Sequence, residues 1–302
     1  MLFIRRYIFI VFAVFFITKT SKAQDVVDEI NVESDSIWTK GLIIAFNFQQ
    51  SGFSNWTQGG EGSITYGSTV HLFANKKEDK SSWINSIEMG YGMIRRKESG
   101  PKKNTDLIIV KSYYGRKISE SIEFSAHIDL RSQFDYGYKY TFDPVQGIET
   151  KTLLSAFLSP GYVQPALGLT YRKNKTFQAT ISPISSKLTI VMNDTLSSKG
   201  AYGVIPGKHS RSQLGATVNL SYKNKIMENV ELKSNLLLFG DHANLNVWDL
   251  NLDLFLDMKI NKFLYGNFMF QMLYDEDAST LVQMRHVLSF GVTFMLGDQP
   301  KQ

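Results

Sequence analysis

Val247-Trp248-Asp249-Leu250-Asn251-Leu252-Asp253-Leu254-Phe255-Leu256-Asp257-Met258-Lys259-Ile260 alternates without a break. Trp248, Leu250, Leu252, Leu254, Leu256, Met258 and Ile260 form one set. Val247, Asp249, Asn251, Asp253, Phe255, Asp257 and Lys259 form the other. Successive strand side chains point to opposite faces, so one face is a wall of large apolar groups and the other is charged. A helix would scatter both sets around its circumference. A transmembrane strand needs about 9–11 tilted residues, and this run supplies 14. It reads as a membrane-spanning strand with a lipid face and a wet face. For this strand alone, the alternative is a large soluble sandwich with the apolar face in its core.

The rest of the chain repeats the pattern. Period-two segments fall at about 40–49, 61–75, 82–96, 105–116, 120–136, 155–172, 175–192, 212–223, 228–239, 247–260, 262–275 and 282–296. In the fifth, Ile122, Phe124, Ala126, Ile128 and Leu130 oppose Glu123, Ser125, His127, Asp129 and Arg131. The fourth does not reveal which of its faces is apolar. Pro160, Pro165 and Pro183 interrupt the sixth and seventh, which predicts bulges or bends there. Twelve is an even number, as a closed bacterial barrel requires, and the prolines leave ten or fourteen open. The connections alternate in length. Tight ones such as Lys173–Asn174, Asn224–Met227 and Asn261 have a Lys-Asn flavour. Longer ones fall at Gln50–Gly60, Lys97–Asn104, Gly137–Leu154, Asn193–Arg211, Gly240–Asn246 and Glu276–Leu281. Short periplasmic turns and long outer loops are the habit of outer-membrane barrels, and both termini then lie in the periplasm. Tyr66, Tyr136, Tyr138, Tyr140, Trp248 and Tyr274 fall near the outer rim, and Trp38, Trp83, Tyr171 and Tyr222 near the inner one, as two interfacial belts. The predicted fold is an all-β, transmembrane, antiparallel up-and-down barrel of twelve strands, closed, over residues 39–297.

The N-terminus fits that destination. Arg5 and Arg6 precede an apolar run from Tyr7 to Ile17, and Ser21-Lys22-Ala23 precedes Gln24. This is the layout of a secretory signal peptide over residues 1–23. Residues 24–38 read as an acidic periplasmic tail and 298–302 as a C-terminal tail. There is no cysteine, which excludes disulfides and thiolate sites. Of the 33 Lys and Arg, Arg5, Arg6, Lys19 and Lys22 belong to the signal segment, so 29 remain against 28 Asp and Glu. Nucleic acid, which wants a basic excess, is not an expected partner. The expected partners are outer-membrane lipid and lipopolysaccharide, with a small polar solute and a surface or periplasmic protein as further candidates.

Phe53-Ser54-Asn55-Trp56-Thr57-Gln58-Gly59-Gly60-Glu61 occupies the first outer loop. This SNWTQGG-type loop resembles that of an uncharacterised Bacteroidota family of outer-membrane barrels, defined only as a domain of unknown function. The runs Ser182–Thr189 and Tyr202–Gly207 resemble it too. The resemblance implies a fold and a compartment, with no established reaction or ligand. Physically, Gly59 and Gly60 permit positive φ and a tight return, and Asn55 and Trp56 could brace the mouth.

Chemistry finds little support. Ser125, His127 and Asp129 share a face, but same-face neighbours stand about 6.8 Å apart, and a working Ser–His pair wants about 2.6–3.2 Å. Asp249, Asp253 and Asp257, or Asp275-Glu276-Asp277, could gather a hard cation. Ion pairs with Arg131, Lys233 and Lys259 are the stronger expectation, so no metal, cofactor or enzymatic role is assigned. What is left is the lumen, with an expected lining of Glu88, Glu123, His127, Asp129, Arg131, Glu231, Lys233, Asp249, Asn251, Asp253 and Asp257. Barrels of about eight strands fill with side chains, and those of 16–18 leave an aqueous channel. Twelve strands predict a narrow channel for small polar solutes. The alternative is a non-conducting barrel acting as a scaffold or binding partner in surface-protein assembly or export.

Overall fold

The computed structural model describes residues 37–51, 62–96, 100–143, 148–174, 176–261 and 263–297. The signal segment, most of the acidic tail, the C-terminal tail and the loop motif with Asn55, Trp56, Gly59 and Gly60 lie outside the described residues. The strands are β1 (Trp38–Ser51), β2 (Ser63–Lys77), β3 (Ser81–Arg96), β4 (Lys102–Lys117), β5 (Ile122–Ser132), β6 (Gly137–Asp143), β7 (Ile148–Ser155), β8 (Gly161–Arg172), β9 (Phe177–Ile190), β10 (Ser210–Met227), β11 (Val230–Asp241), β12 (Asn244–Lys259), β13 (Leu264–Asp275) and β14 (Ser279–Gly297). Twelve of them close into an antiparallel barrel in chain order, with β1 pairing β14 to seal the ring. Closure satisfies every strand edge, which hydrocarbon demands of a sheet.

The distribution of polarity is inside-out. Among the described residues, buried polar side chains outnumber buried hydrophobic ones by 13 to 7. Large apolar groups stand exposed around the ring, including Phe48, Tyr114, Ile128, Leu169, Ile184, Leu214, Leu288 and Phe290. Water-soluble proteins do not leave such a band uncovered. β4 withheld its pattern because both its faces are apolar. Val110 and Ile108 share the outward register with exposed Tyr114, while Leu107 and Ile109 share the inward one with Tyr113.

Two of the tight connections are made by Asx turns, which explains their Lys-Asn flavour, while Asn224–Met227 belongs to β10. Asn174 Oδ1 accepts the amides of Thr176 and Phe177, at 2.8 and 3.2 Å. Asn261 Oδ1 does the same for Phe263 and Leu264, both at 2.8 Å. Two connections expected to be long are tight. The β11–β12 turn is only 242–243, because the expected loop Gly240–Asn246 is absorbed into the strands by a register shift at Gly240/Asp241. The β13–β14 turn is 276–278. The expected loop at 137–154 contains a separate hairpin, β6–β7, whose strands are not part of the ring.

The proline-bearing strands carry the expected irregularities. Register shifts at Leu167/Leu169 between β8 and β9, and at Gly215/Thr217 between β9 and β10, flank Pro183. Gly168 sits in the first shift, where a Cβ would lie 2.1 Å from the Ile181 carbonyl oxygen and 2.6 Å from the Ser182 Cα. Both are backbone atoms that cannot swing away. Gly168→Val is therefore expected to cost about 1–3 kcal/mol in overpacking and to lower the refolded fraction seen as heat-modifiable mobility on a gel. Gly100→Ala, at a site with nothing within 4 Å of the new carbon, should leave that fraction unchanged.

Candidate functional site in the barrel interior

Contacts between strands that are not neighbours in a closed barrel must run through its interior. Lys187 on β9 places Nζ 2.7 Å from Asp249 Oδ2 on β12 and 2.6 Å from Asp275 Oδ2 on β13. Its cation also lies 5.5 Å from the centre of the Tyr162 ring on β8. Arg131 on β5 reaches to 4.0 Å from Asp253 Oδ1 on β12, which also accepts from Gln271 Nε2 at 2.8 Å. Arg285 on β14 donates to Thr105 Oγ1 on β4 at 3.1 Å. Tyr265 on β13 donates to Asn47 Oδ1 on β1 at 2.5 Å. Polar groups thus bridge the bore at several heights.

Nine of the eleven candidate lumen residues fall into three groups. Asp129, Arg131, Asp249 and Asn251 line one cavity of about 270 Å³, toward the end of the barrel that carries the longer loops, and Asp253 faces Arg131 just below it. Glu231, Lys233 and Asp257 form a second group, with Lys233 Nζ 3.1 Å from Glu231 and 2.7 Å from Asp257. Asn267 Nδ2 donates to Asp257 Oδ1 at 2.5 Å. Glu123 belongs to a third group, where it accepts from Tyr113 at 3.1 Å and from Arg172 at 3.3 Å. Glu88 lies opposite His71 in register. His127 keeps Nδ1 buried with no hydrogen-bond partner. Ser125 Oγ instead accepts from Thr170 at 3.0 Å, so Ser125, His127 and Asp129 do not assemble into a catalytic arrangement. Among the described residues no group of three or more His, Asp and Glu converges as a metal set.

Four inward-pointing residues escape the sequence reading: Lys187, Asp275, Tyr162 and Arg285. Inserting one residue flips strand parity. Before Pro183 the buried positions of β9 are Thr180 and Ser182, and after it they are Ser185, Lys187 and Thr189. No uniform alternation could place Lys187 correctly. Asp275 figures in the sequence only as part of the Asp275-Glu276-Asp277 cation candidate; it is the last residue of β13 and pairs with Lys187. Arg285 was legible, because it shares parity with Ser289 and Thr293 opposite Leu288 and Phe290.

A folded cap covers the cavity at that end. Between β9 and β10 lie a helix, α1 (Asp194–Ser198), and a single 3-10 turn at Ala201–Gly203. Asn193 caps α1, its Oδ1 accepting the Leu196 amide at 3.1 Å. Val191, Leu196 and Val204 form a small apolar core, with Leu153, Ala201 and Tyr202 packed against it. Tyr202 donates to the Leu154 carbonyl at 2.5 Å, and burial pushes its hydroxyl above the ordinary phenol range, so it stays a donor. The cap is tied to both sides of the rim. Asn193 N–H donates to Ser159 Oγ at 2.8 Å. On the other side Arg211 of β10 donates to the Gly203 carbonyl at 3.4 Å and holds Asp277 of the β13–β14 turn at 2.5 Å. Tyr202 and Pro160 line the cavity at that end.

Among solved structures, the translocator domain of autotransporter NalP from Neisseria meningitidis is 13% identical, with a TM-score of 0.35 over 90% of this chain and 92% of that one. An outer membrane channel from Pseudomonas putida F1 is 9% identical, with a TM-score of 0.40 over 85% and 94%. The NanC porin is 8% identical, with a TM-score of 0.39 over 85% and 100%. These likenesses concern the barrel architecture. No curated protein matches the chain. Residues 48–138, a stretch that includes the loop Phe53–Glu61, match the profile of a family described as "Protein of unknown function (DUF3078)".

Proposed function

We propose that the chain is an outer-membrane barrel that passes small polar solutes through a narrow bore of mixed charge. In this reading both termini face the periplasm, and the exterior contacts lipid and lipopolysaccharide. The observation that carries it is the cavity walled by Asp129, Arg131, Lys187, Asp249 and Asn251 inside a ring whose outside is apolar. Lys111 supports it too. It pairs in register with Asp129 on the inward side and is nonetheless exposed, so the bore has room for water beside its wall. Lys187 with Asp249 and Asp275 would then be the constriction.

A second reading keeps the barrel and drops the passage, making it a non-conducting scaffold or binding partner. The cap and the Lys187 bridge across the bore favour it, because both obstruct a straight path. Single-channel recording on the refolded chain in a planar bilayer separates the two. The channel reading expects discrete steps. Protein that shows heat-modifiable mobility yet gives no steps would fit the scaffold, which should co-purify with a protein partner.

A further inference from the structure

Three polar groups in the cavity wall have capacity to spare. Arg131 comes no closer than 4.0 Å to Asp253, and its guanidinium makes no hydrogen bond among the described residues. Asp129 accepts no hydrogen bond and forms no ion pair among them. Asn251 Oδ1, on the opposite wall, is buried with no hydrogen-bond partner. All three line the same cavity. Lys187 is not available in this way, because Asp249 and Asp275 already occupy it.

We infer that this cavity binds a small zwitterion, with a carboxylate on Arg131 and an ammonium group between Asp129 and Asn251 Oδ1. The inference rests on the small-solute reading and names its class of solute. A guanidinium offers a rigid fork of donors matched to a carboxylate, and a carboxylate with an amide oxygen offers only acceptors, which suits an ammonium. Arg131 and Asp129 are two residues apart on one face of β5, so their backbones stand about 6.8 Å apart. That spacing matches a molecule whose two charges are a few bonds apart. Arg285 crosses from β14 to Thr105 of β4, the strand next to β5. A simple anion would leave Asp129 unmatched beside it, and a simple cation would leave Arg131 unmatched. The volume of about 270 Å³ lies at the lower edge of small-molecule sites, roughly 300–1,000 Å³, which excludes long peptides and oligosaccharides.

The test is isothermal titration calorimetry on the refolded full chain in detergent micelles. The probes are glycine, γ-aminobutyrate, acetate and methylammonium. At least one zwitterion should bind ten-fold or more tightly than acetate and methylammonium. Arg131→Gln and Asp129→Asn should each weaken that zwitterion ten-fold or more, and Asp129→Asn should leave acetate no weaker. Asn251→Asp adds a charge without bulk and should tighten methylammonium, which guards against a misfolded Arg131 variant. Acetate or methylammonium binding as tightly as both zwitterions would overturn the inference. So would the absence of heat with all four probes in protein of folded mobility. The channel reading fails separately. Conductance with equal permeability to all four probes sinks the zwitterion site alone, and zwitterion binding without conductance sinks the channel alone.

Discussion

Replacing Lys187 by Met is expected to lower the stability of the refolded barrel by about 3–5 kcal/mol, the cost of leaving a buried charge uncompensated. Lys187 is 4% exposed. Its ammonium lies within 2.7 Å of Asp249 and 2.6 Å of Asp275. Asp277, two residues beyond Asp275, is engaged by Arg211. Removing the cation therefore strands two carboxylates near each other in a confined interior, where their repulsion is poorly screened. A packing loss alone would be far smaller, because Met fills most of the same volume. The triple variant Lys187→Met, Asp249→Asn, Asp275→Asn should recover most of the loss, since replacing all partners of a buried ionic group is often near neutral. Urea unfolding of the micelle-refolded protein, followed by tryptophan fluorescence, measures both. A single variant within about 1 kcal/mol of the wild type would mean the three groups are not in contact across the bore. If the triad is the constriction, the triple variant should also conduct more per channel than the wild type.

The membrane strands were legible because their periodicity is enforced on both faces. Lipid selects Leu250, Leu252, Leu254 and Leu256, and water in the bore selects Asp249, Asn251, Asp253 and Asp257. That double constraint fixes register as well as existence. Legibility fails where one constraint is missing. On β4, Leu107 and Ile109 are apolar on the inward side, so the faces look alike. On β9, the irregularity at Pro183 reverses parity and hides Lys187, which bridges the bore to both β12 and β13. The β6–β7 hairpin has no bore behind it, so alternation along Tyr136, Tyr138 and Tyr140 signals rim aromatics and not a further strand pair. The cap could not be anticipated at all. Its short core of Val191, Leu196 and Val204 is too brief to carry a period, and its ties at Ser159, Asp277 and Leu154 are distant in sequence. The individual charges of the site were thus legible, and the pairing of walls that makes them a cavity was not, because strand closure sets it.

The second large effect concerns the outside of the same strand. Leu254→Arg is expected to destabilise the barrel in vesicles by about 2–4 kcal/mol, the depth-dependent cost of a cation on the lipid face near the bilayer midplane. Leu254 lies near the middle of β12, paired in register with Phe270 of β13, and both belong to the outward set. Phe255→Arg, one residue on, turns inward beside Lys233 and across from Met269. There the new cation lies near Asp257 and Glu231, which already attract Lys233, so its cost should be well below that of the outward change. The comparison discriminates because the neighbouring positions share sequence context, strand and depth, and differ only in which way they point. In a barrel dissolved in water the ranking would invert. An arginine on the wetted outer surface would change stability by no more than about 0.5 kcal/mol, while one forced into the interior would displace packed side chains. Folding efficiency of the two variants into lipid vesicles, scored by the heat-modifiable gel shift, therefore reads the polarity of the molecule directly. If Leu254→Arg folded as well as the wild type, the apolar band would not be facing hydrocarbon, and a passage between two compartments would have no membrane to cross.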